Sequence, residues 1–298
     1  MSFDVRDLRN ECWHRKKYHL VLLIILQTGY QKFLHLLARL IRAIYVPSRK
    51  ISVMMRVKNE VEFLAASVLS IIEYVDEIIL IDNQSTDGST VLIQELARRF
   101  PAKLRVYSYP LEVARTGYEN LEGYLQNPLS PHLLANYYNW CLSKCTHPFV
   151  MKWDGDMIAT DAFYSALAAF KNSRYWGLRF GGCNISPDFR NLILPDMTNE
   201  LRIFTKLFAT HATAPTCEIL LTPLFHPQQS MTEYGYIHLK YCKKVPFSTR
   251  SPAMSDEAGE SYAGLAVGGS PEQRYIETLK HWDIRPTDRS ASSALKIK

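Results

Sequence analysis

Short apolar segments of strand length alternate with helical segments from residue 50 onward, and this alternation constrains the fold more than any other feature. The first predicted strands are residues 51–57, 77–81, 104–109 and 149–153. Helical periodicity fills the intervals between them, and an order of this kind is typical of a mainly parallel sheet with helices on both faces. We therefore predict an α/β fold for the main part of the chain. Further strand-like segments follow at 176–180, 201–204, 218–221 and 236–239.

Three of the predicted strands end in polar clusters. The clusters are Lys58-Asn59-Glu60, the run from Asp82 to Asp87, and Asp154-Gly155-Asp156. Because parallel sheets bind ligands at the carboxyl ends of their strands, we expect these clusters to converge on one site. Asn59 and Glu62 also have the spacing of a capping box, so we expect the first helix to begin at Asn59.

The usual phosphate-binding signatures are absent from the sequence. No GxGxxG follows the first strand, and GxxxxGK[ST] does not occur. With 13 glycines in 298 residues, a glycine-rich phosphate loop is disfavoured. A metal ion held by carboxylates is the obvious other way to bind an anion, and Asp154 and Asp156 flank a glycine that lets both reach one point. Their oxygens suit Mg²⁺ or Mn²⁺, although an isolated DxD is more often an Asx-rich turn.

Two long segments identify a resemblance. ISVMMRVKNEVEFLAASVLSIIEYVDEIILIDNQSTDGST and ANYYNWCLSKCTHPFVMKWDGDM resemble the inverting family-2 glycosyltransferases, and the bacterial lipopolysaccharide-type branch most. The resemblance covers residues 50–160 well and 175–245 loosely. It implies a GT-A-type, Rossmann-like mixed sheet and a metal-dependent enzyme that uses Mn²⁺ or Mg²⁺. It also implies transfer of a sugar from a nucleotide-diphosphate donor, foremost a UDP-sugar, to a hydroxyl of a glycan or glycolipid.

The resemblance also implies roles for residues on the donor side. Asp82 would read the donor base by accepting from its ring N–H, and Asn59 and Glu60 would border the nucleoside pocket. Asp87 would help to close that pocket, although a helix-capping role explains it equally well.

The residues near the donor's phosphates follow from the same resemblance. Asp154 would face the ribose or the donor sugar, and Asp156 would be a metal ligand. His238 would add a second metal ligand, with a satisfied core histidine as the alternative. Lys58 would touch a phosphate, with a solvated lysine as the alternative, and Lys240, Lys243 and Lys244 are further candidates for the diphosphate.

The general base is assigned by resemblance to the family's stretch "RLFRK…HE". The similar text here is Arg202 to Lys206 and then Cys217-Glu218, so Glu218 is the predicted base. Two departures affect this alignment, because Cys217 stands where the family has His and Thr205 where it has its second Arg. The alternatives are Glu200 and Glu233. Trp153 and Trp176 could stack on an acceptor sugar, although aromatic core is the better default for both.

Charge is distributed unevenly along the chain. Residues 1–50 contain ten basic and three acidic residues, whereas the other 248 contain 25 and 26, so the body is neutral and is not expected to bind nucleic acid. Residues 1–49 are predicted to form a basic amphipathic helical arm, 50–245 the glycosyltransferase domain, and 246–298 a loop-rich extension with a disordered end. The polar stripe of the arm consists of Thr28, Lys32, His35, Arg39 and Arg42.

Three interpretations of the arm remain open at this stage: a helix lying on an anionic membrane surface, a helix packed on the body or a second subunit, and a true membrane anchor. The six cysteines are scattered, without a CxxC pair. We interpret them as buried thiols in a reducing compartment, because this pattern does not form a disulfide scaffold. The expected location is therefore cytoplasmic, with a peripheral position on the inner face of a membrane.

Two competing functions remain. A degenerate member of the fold could bind a nucleotide or glycan without turnover. A sugar nucleotidyltransferase would have a related sheet, but it would need a glycine-rich turn after the first strand, and residues 55–59 contain no glycine.

Overall fold

The computed structural model describes residues 48–186, 192–214, 217–223 and 227–243, with only the backbone described at 192–198. The described elements lie in the unit of the chain that begins at Ser48. The predicted arm, apart from its last two residues, the predicted C-terminal extension and Lys244 lie outside the described residues. The domain boundaries therefore stay predictions.

Eleven strands and five helices are described in this part of the chain. Their bounds are β1 Ile51–Val57, α1 Leu64–Ile71, β2 Glu77–Asp82, α2 Ser89–Arg99, β3 Leu104–Ser108, α3 Tyr118–Gln126, α4 Leu134–Lys144, β4 Phe149–Asp154, β5 Met157–Ala159, α5 Asp161–Lys171, β6 Gly177–Ile185, β7 Leu192–Thr205, β8 Thr210–Thr213, β9 Glu218–Leu221, β10 Gln228–Ser230 and β11 Tyr236–His238. A short 3₁₀ turn, Lys240–Cys242, follows β11.

Nine of these strands form one mixed sheet in the order β3-β2-β1-β4-β7-β6-β11-β5, with β10 paired to β6. The first four strands are parallel, and β7 is antiparallel to both β4 and β6. Strands β8 and β9 form a separate antiparallel pair. The predicted α/β class, with a Rossmann-like mixed sheet and helices on both faces, is confirmed.

Alternate residues of the buried strands point to opposite sides of the sheet, so both of its faces are apolar. Helices cover both faces. Val53, Met55 and Trp153 belong to a core cluster that includes the apolar faces of α1, α2 and α5. Met54 and Val150, from the same two strands, belong to a second cluster with α4. The central strands are therefore apolar on both sides, as their sequences predict.

The sequence located the strands better than the first helix. The predicted bounds of β1 and β9 are confirmed, but α1 begins at Leu64 and not at Asn59. Asn59 has a left-handed backbone, with φ of 60°, and its side chain accepts from the backbone N–H of Thr86 instead of capping a helix. The capping-box prediction is therefore wrong. Four short elements, α3, β5, β8 and β10, were not predicted.

None of the described helices combines the length and the apolar character that crossing a bilayer requires.

Candidate active site

The three polar clusters converge at one edge of the sheet, as predicted. Strand β1 lies between β2 and β4, with Val57 beside Asp82 and Arg56 beside Asp154. All three strands run in the same direction, so their carboxyl ends open at the same place. The chain crosses to β2 on one side of β1 and reaches β4 on the other, which is the arrangement that leaves a ligand crevice in sheets of this kind.

Direct hydrogen bonds join the turn after β1 to the loop after β2. The backbone N–H of Asn59 donates to Ser85 Oγ at 3.0 Å, and the N–H of Glu60 donates to Ser89 Oγ at 2.8 Å. Asp87 accepts from the N–H groups of Ser89 and Val61. Asp87 therefore fixes the loop between Asp82 and α2 against the turn after β1. It accepts from Ser89, the first residue of α2, but the N-cap position itself is Gly88.

Asp82 is buried at the base of this loop. One of its carboxylate oxygens accepts from the N–H of Ser85 at 3.1 Å, and the other from Thr90 Oγ1 at 2.6 Å. The carboxylate is thus rigidly positioned at the floor of the crevice, and each oxygen retains a lone pair for a further donor. Lys58, in contrast, is exposed.

Asp154 lies between two guanidinium groups. Arg56 Nη2 donates to Asp154 Oδ1 at 2.9 Å, and Arg202 Nη1 lies 3.7 Å from Oδ2. Desolvation would raise the pKa of Asp154, but the charges of Arg56 and Arg202 outweigh it and hold the pKa below its usual value. Asp154 is therefore a fixed anion whose tip is still about one-third exposed, at 34%.

Asp156 meets His238, as the sequence suggested, but it also meets a lysine. His238 Nε2 lies 3.2 Å from Asp156 Oδ1, and Lys243 Nζ lies 2.7 Å from Asp156 Oδ2. The same ammonium donates to Glu60 Oε1 at 2.7 Å. Burial alone would raise the pKa of Asp156, and the charges of His238 and Lys243 lower it far below its usual range. Burial alone would lower the pKa of Lys243, and the two carboxylates raise it instead.

The fit of these residues to the implied metal ion can be judged from that geometry. Among the described residues, no group of three or more His, Cys, Asp and Glu side chains is arranged to hold a metal ion. Asp156, the predicted carboxylate ligand, already has a partner on each oxygen. Its Oδ1 lies 3.2 Å from Nε2 of His238, the other predicted ligand, and its Oδ2 lies 2.7 Å from the ammonium of Lys243. In this arrangement the side chains do not fit a resident Mn²⁺ or Mg²⁺.

The predicted base lies at a neighbouring position above the sheet. Glu218 begins β9, and its Oε1 is 3.7 Å from Lys152 Nζ, which projects from β4 on the same face as Asp154. Glu200 Oε2 lies 3.9 Å from the same ammonium and 3.3 Å from Arg202 Nη2. Glu218 and Glu200 are therefore brought to the edge of the Asp154 cluster. Glu233 is exposed in the loop before β11, whereas His238 is at the far end of that strand.

His211 is a site residue that the sequence did not reveal. It lies on β8, one strand from Glu218, and its side chain is 4% exposed, with the ring 5.0 Å from that of Tyr138. Neither of its ring nitrogens has a hydrogen-bond partner among the described residues. Burial, with smaller effects from Lys152 and Arg56, lowers its pKa to about 3, so the imidazole is neutral at physiological pH.

Two tryptophans and several cysteines were considered as site residues or buried side chains, and the structure decides between these roles. Trp153 is fully buried and donates to Ser67 Oγ at 3.1 Å, and Trp176 is also buried, so neither presents a face to an acceptor sugar. Cys141, Cys145 and Cys183 are buried thiols, as predicted, whereas Cys217 and Cys242 are only partly buried, so the prediction is wrong for those two. Desolvation raises the pKa of Cys141 and of Cys145 to about 12.

The sequence contained a signal for the missed cations. Arg56, Lys152 and Arg202 each interrupt an otherwise apolar strand, and a charged residue in a buried strand needs a partner. Their partners are the carboxylates described above, and Arg56 also lies 3.7 Å from the centroid of the Tyr138 ring.

Comparison with known proteins supports the class of site. The family model for Glycosyl transferase family 2 matches residues 52–113, which contain β1, β2 and the polar loop between β2 and α2. This match confirms the predicted resemblance to that family over this segment. No curated protein matches the chain.

Several solved structures are similar. S. aureus TarS 1-349 in complex with UDP-GlcNAc is 15% identical, with a TM-score of 0.44, 68% of this chain covered and 61% of that chain. A second structure of S. aureus TarS 1-349 is 16% identical, with a TM-score of 0.41 and coverages of 64% and 60%. Glucosyl-3-phosphoglycerate synthase from Mycobacterium tuberculosis, in complex with phosphoglyceric acid, is 24% identical, with a TM-score of 0.24 and coverages of 37% and 34%. The chain thus spans about three-fifths of the TarS 1-349 chain that it matches.

Proposed function

We propose that this protein transfers a sugar, with inversion, from a nucleoside-diphosphate donor to a hydroxyl group of a glycan or glycolipid acceptor. A UDP-sugar is the donor that we would test first. The observation that carries the proposal is the convergence of the clusters after β1, β2 and β4 on one crevice. The clusters after β1 and β2 lie within the segment that matches family 2, and the cluster after β4 lies on the strand next to β1.

The donor side of the crevice supports binding of a nucleotide. In this proposal Asp82 accepts from the ring N–H of the base, because its carboxylate is held in place by Ser85 and Thr90. Asn59 and Glu60 border the nucleoside, since Ser85 and Ser89 hold the backbone of their turn against the loop that carries Asp82. Asp154, fixed between Arg56 and Arg202, faces the ribose or the sugar and orients it for attack.

On the acceptor side, Glu218 is proposed as the general base. As the acceptor oxygen bonds to the anomeric carbon, the bond from that carbon to the phosphate oxygen breaks, and the nucleoside diphosphate leaves with the electron pair. Glu218 takes the proton of the acceptor hydroxyl. Lys152 orients the carboxylate from 3.7 Å. An acceptor that enters from the opposite side to the leaving diphosphate gives inversion.

The charge of the donor diphosphate must be neutralised by a cation. Family-2 members often use divalent metals, and Asp156 with His238 was predicted to hold Mn²⁺ or Mg²⁺. We derive no step through such an ion, because Lys243 already contacts Asp156, the predicted carboxylate ligand.

The acceptor and the location extend the proposal. A glycolipid or lipid-linked acceptor would place the enzyme at a membrane surface, and the basic stripe of the arm is suited to an anionic leaflet. We therefore propose a cytoplasmic enzyme that docks peripherally on the inner face of a membrane.

The experiment is a donor panel. The full chain is incubated with nucleotide sugars and candidate acceptors, with and without Mn²⁺, and release of nucleoside diphosphate is followed. Release by the wild-type chain that falls at least 100-fold in Asp154→Asn, but not in the exposed matched variant Glu119→Gln, supports the proposal. Tight nucleotide binding without release from any donor would indicate a non-catalytic binding protein. Release of pyrophosphate would indicate a nucleotidyltransferase.

A further inference from the structure

Lys243 joins two loops that are far apart in the chain. Its ammonium lies 2.7 Å from Glu60, in the turn after β1, and 2.7 Å from Asp156, in the turn after β4. The side chain of Lys243 is 13% exposed and that of Asp156 only 4%. Both contacts are charge-assisted hydrogen bonds in a position largely withdrawn from solvent, where such bonds are strongest.

Each carboxylate around this lysine already has a cationic partner. Lys243 contacts Glu60 and Asp156, and Arg56 and Arg202 contact Asp154. Arg202 also lies 3.3 Å from Glu200. A divalent ion bound at Asp156 would have to displace Lys243 or share the carboxylate with it.

We propose that the ammonium of Lys243, in place of a divalent metal ion, is the cation that meets the donor diphosphate at Asp156. The inference rests on the proposed function. An ammonium has three N–H donors, and Glu60 and Asp156 accept from two of them. The third is assigned to an oxygen of the diphosphate. When the bond between the anomeric carbon and the phosphate oxygen breaks, negative charge grows on the leaving group, and a fixed ammonium stabilises it.

Gly155 contributes to this arrangement. A Cβ at this position would lie 3.1 Å from Glu60 Cγ and 3.2 Å from Glu60 Cβ, which is tighter than ordinary van der Waals contact. The glycine between the two aspartates therefore lets the Glu60 side chain pass close to the backbone and reach Lys243. Asp-Gly-Asp serves here to bring a lysine to Asp156.

The test compares Mn²⁺ binding and nucleotide binding in the full chain without requiring turnover. Mn²⁺ binding is measured by electron paramagnetic resonance, and UDP binding by calorimetry in EDTA. Wild type is expected to bind UDP in EDTA. Lys243→Met is expected to lose roughly 10- to 100-fold in UDP affinity. The same variant is expected to bind Mn²⁺ at least tenfold more tightly than wild type, because two carboxylates lose their cation.

Two further variants keep the inference open to refutation if Lys243→Met fails to fold. Lys243→Arg retains the charge and should bind UDP in EDTA within about tenfold of wild type while binding no more Mn²⁺. Lys50→Met, an exposed position directly before β1 at the opposite end of that strand from the crevice, is the matched control and should leave both affinities unchanged. The inference is overturned if wild type binds Mn²⁺ as tightly as Lys243→Met does, or if UDP binding to wild type requires the metal.

The outcome separates this inference from the proposed function. Donor turnover that occurs only with Mn²⁺ would retain the transferase and remove the role of Lys243. Metal-free UDP binding that depends on Lys243, without turnover of any donor, would retain the role of Lys243 and remove the transferase.

Discussion

Arg56 and Asp154 lie side by side on the parallel strands β1 and β4, and the guanidinium donates to the carboxylate at 2.9 Å. The pair connects the two strands at the point where the crevice opens. It also keeps Asp154 ionised against desolvation, which is the state that a hydrogen-bond acceptor for a ribose or sugar hydroxyl requires.

Replacing Arg56 by Met should leave Asp154 with only the more distant Arg202, 3.7 Å away. We expect a loss of about 1–3 kcal/mol in the free energy of unfolding, measured by urea denaturation, because the pair is only partly buried. The double variant Arg56→Met with Asp154→Asn should recover part of that loss, since no carboxylate is then left without its partner. Arg98→Met, which breaks an exposed ion pair with Glu95, should cost less than about 1 kcal/mol. Equal losses in the two single variants would contradict the structural role of Arg56.

The strand ends of this site could be predicted because each depends on local sequence. The apolar runs of β1, β2 and β4 stop at polar residues, and parallel strands that end together must present those residues at one edge. Lys243 was among the predicted candidates for the diphosphate, but its contacts with Glu60 and Asp156 could not be predicted in the same way. It contacts Glu60 across 183 residues of sequence, after a 3₁₀ turn that follows β11, so no local pattern determines the contact.

Two other failures have physical reasons. The capping-box prediction at Asn59 considered only residues close in sequence. In the structure the side chain of Asn59 accepts instead from the backbone N–H of Thr86, in the polar loop after β2, at 2.7 Å. Tertiary hydrogen bonding thereby replaced a local one. His211 was missed because β8 is only four residues long and was not predicted as a strand.

Glu218→Gln is the direct test of the general base. The amide keeps the shape of the side chain but cannot take the proton, so we expect transfer to fall roughly 10²- to 10⁴-fold while donor binding stays within a factor of about two. Steady-state transfer and nucleotide titration measure these two quantities.

The alternatives for the base are tested in the same assay. Glu200→Gln or Glu233→Gln should reduce transfer far less than Glu218→Gln does. A larger loss in Glu200→Gln would transfer the assignment to Glu200, which also lies near Lys152 and Arg202. The exposed variant Glu119→Gln provides the baseline.

Two glycines should respond differently to substitution by alanine. A Cβ at Gly155 meets the flexible Glu60 side chain, so Gly155→Ala should lower the free energy of unfolding by less than about 1 kcal/mol but weaken UDP binding several-fold. A Cβ at Gly182 would overlap the ring of Tyr236, which is buried in the core. Gly182→Ala should therefore cost at least about 3 kcal/mol or prevent folding. Denaturation and UDP titration measure the stability and the UDP affinity of the two variants. An unchanged UDP affinity in Gly155→Ala would show that Glu60 does not belong to the donor site.

The basic arm gives a prediction about membrane surfaces. Reversing two charges on its polar stripe, Arg39→Glu with Arg42→Glu, should weaken binding to phosphatidylserine-containing vesicles roughly 30-fold or more, because each basic residue near such a surface contributes about 1 kcal/mol. Co-sedimentation with vesicles measures this effect, and neutral vesicles should bind neither form. Arg98→Glu with Arg115→Glu reverses two exposed charges of the body and should have little effect. If the arm variant instead changes the oligomeric state and keeps its vesicle binding, the arm packs against protein.

The burial of His211 leads us to expect that the free energy of unfolding depends on pH. Its pKa is about 3 in the folded chain, because of burial and then of Lys152 and Arg56, against an ordinary value of 6.5. The unfolded chain therefore binds a proton on this imidazole below pH 6.5 while the folded chain does not. Stability from the neutral imidazole is fully present above pH 6.5 and decreases as the pH falls toward 3, by up to about 1.4 kcal/mol per pH unit.

The contribution of His211 can be isolated by difference. The carboxylates Asp154 and Asp156 have lowered pKa values and also lose stabilisation in acid, so the wild-type curve alone does not report His211. In His211→Phe, which fills the same site between Tyr138 and Phe204 without a titrating group, unfolding free energies between pH 6.5 and 4.5 should fall less steeply than in wild type. Identical slopes would show that the imidazole is charged in the folded protein. In that case its two nitrogens must have partners, and Glu218, on the neighbouring strand, would be the first to examine.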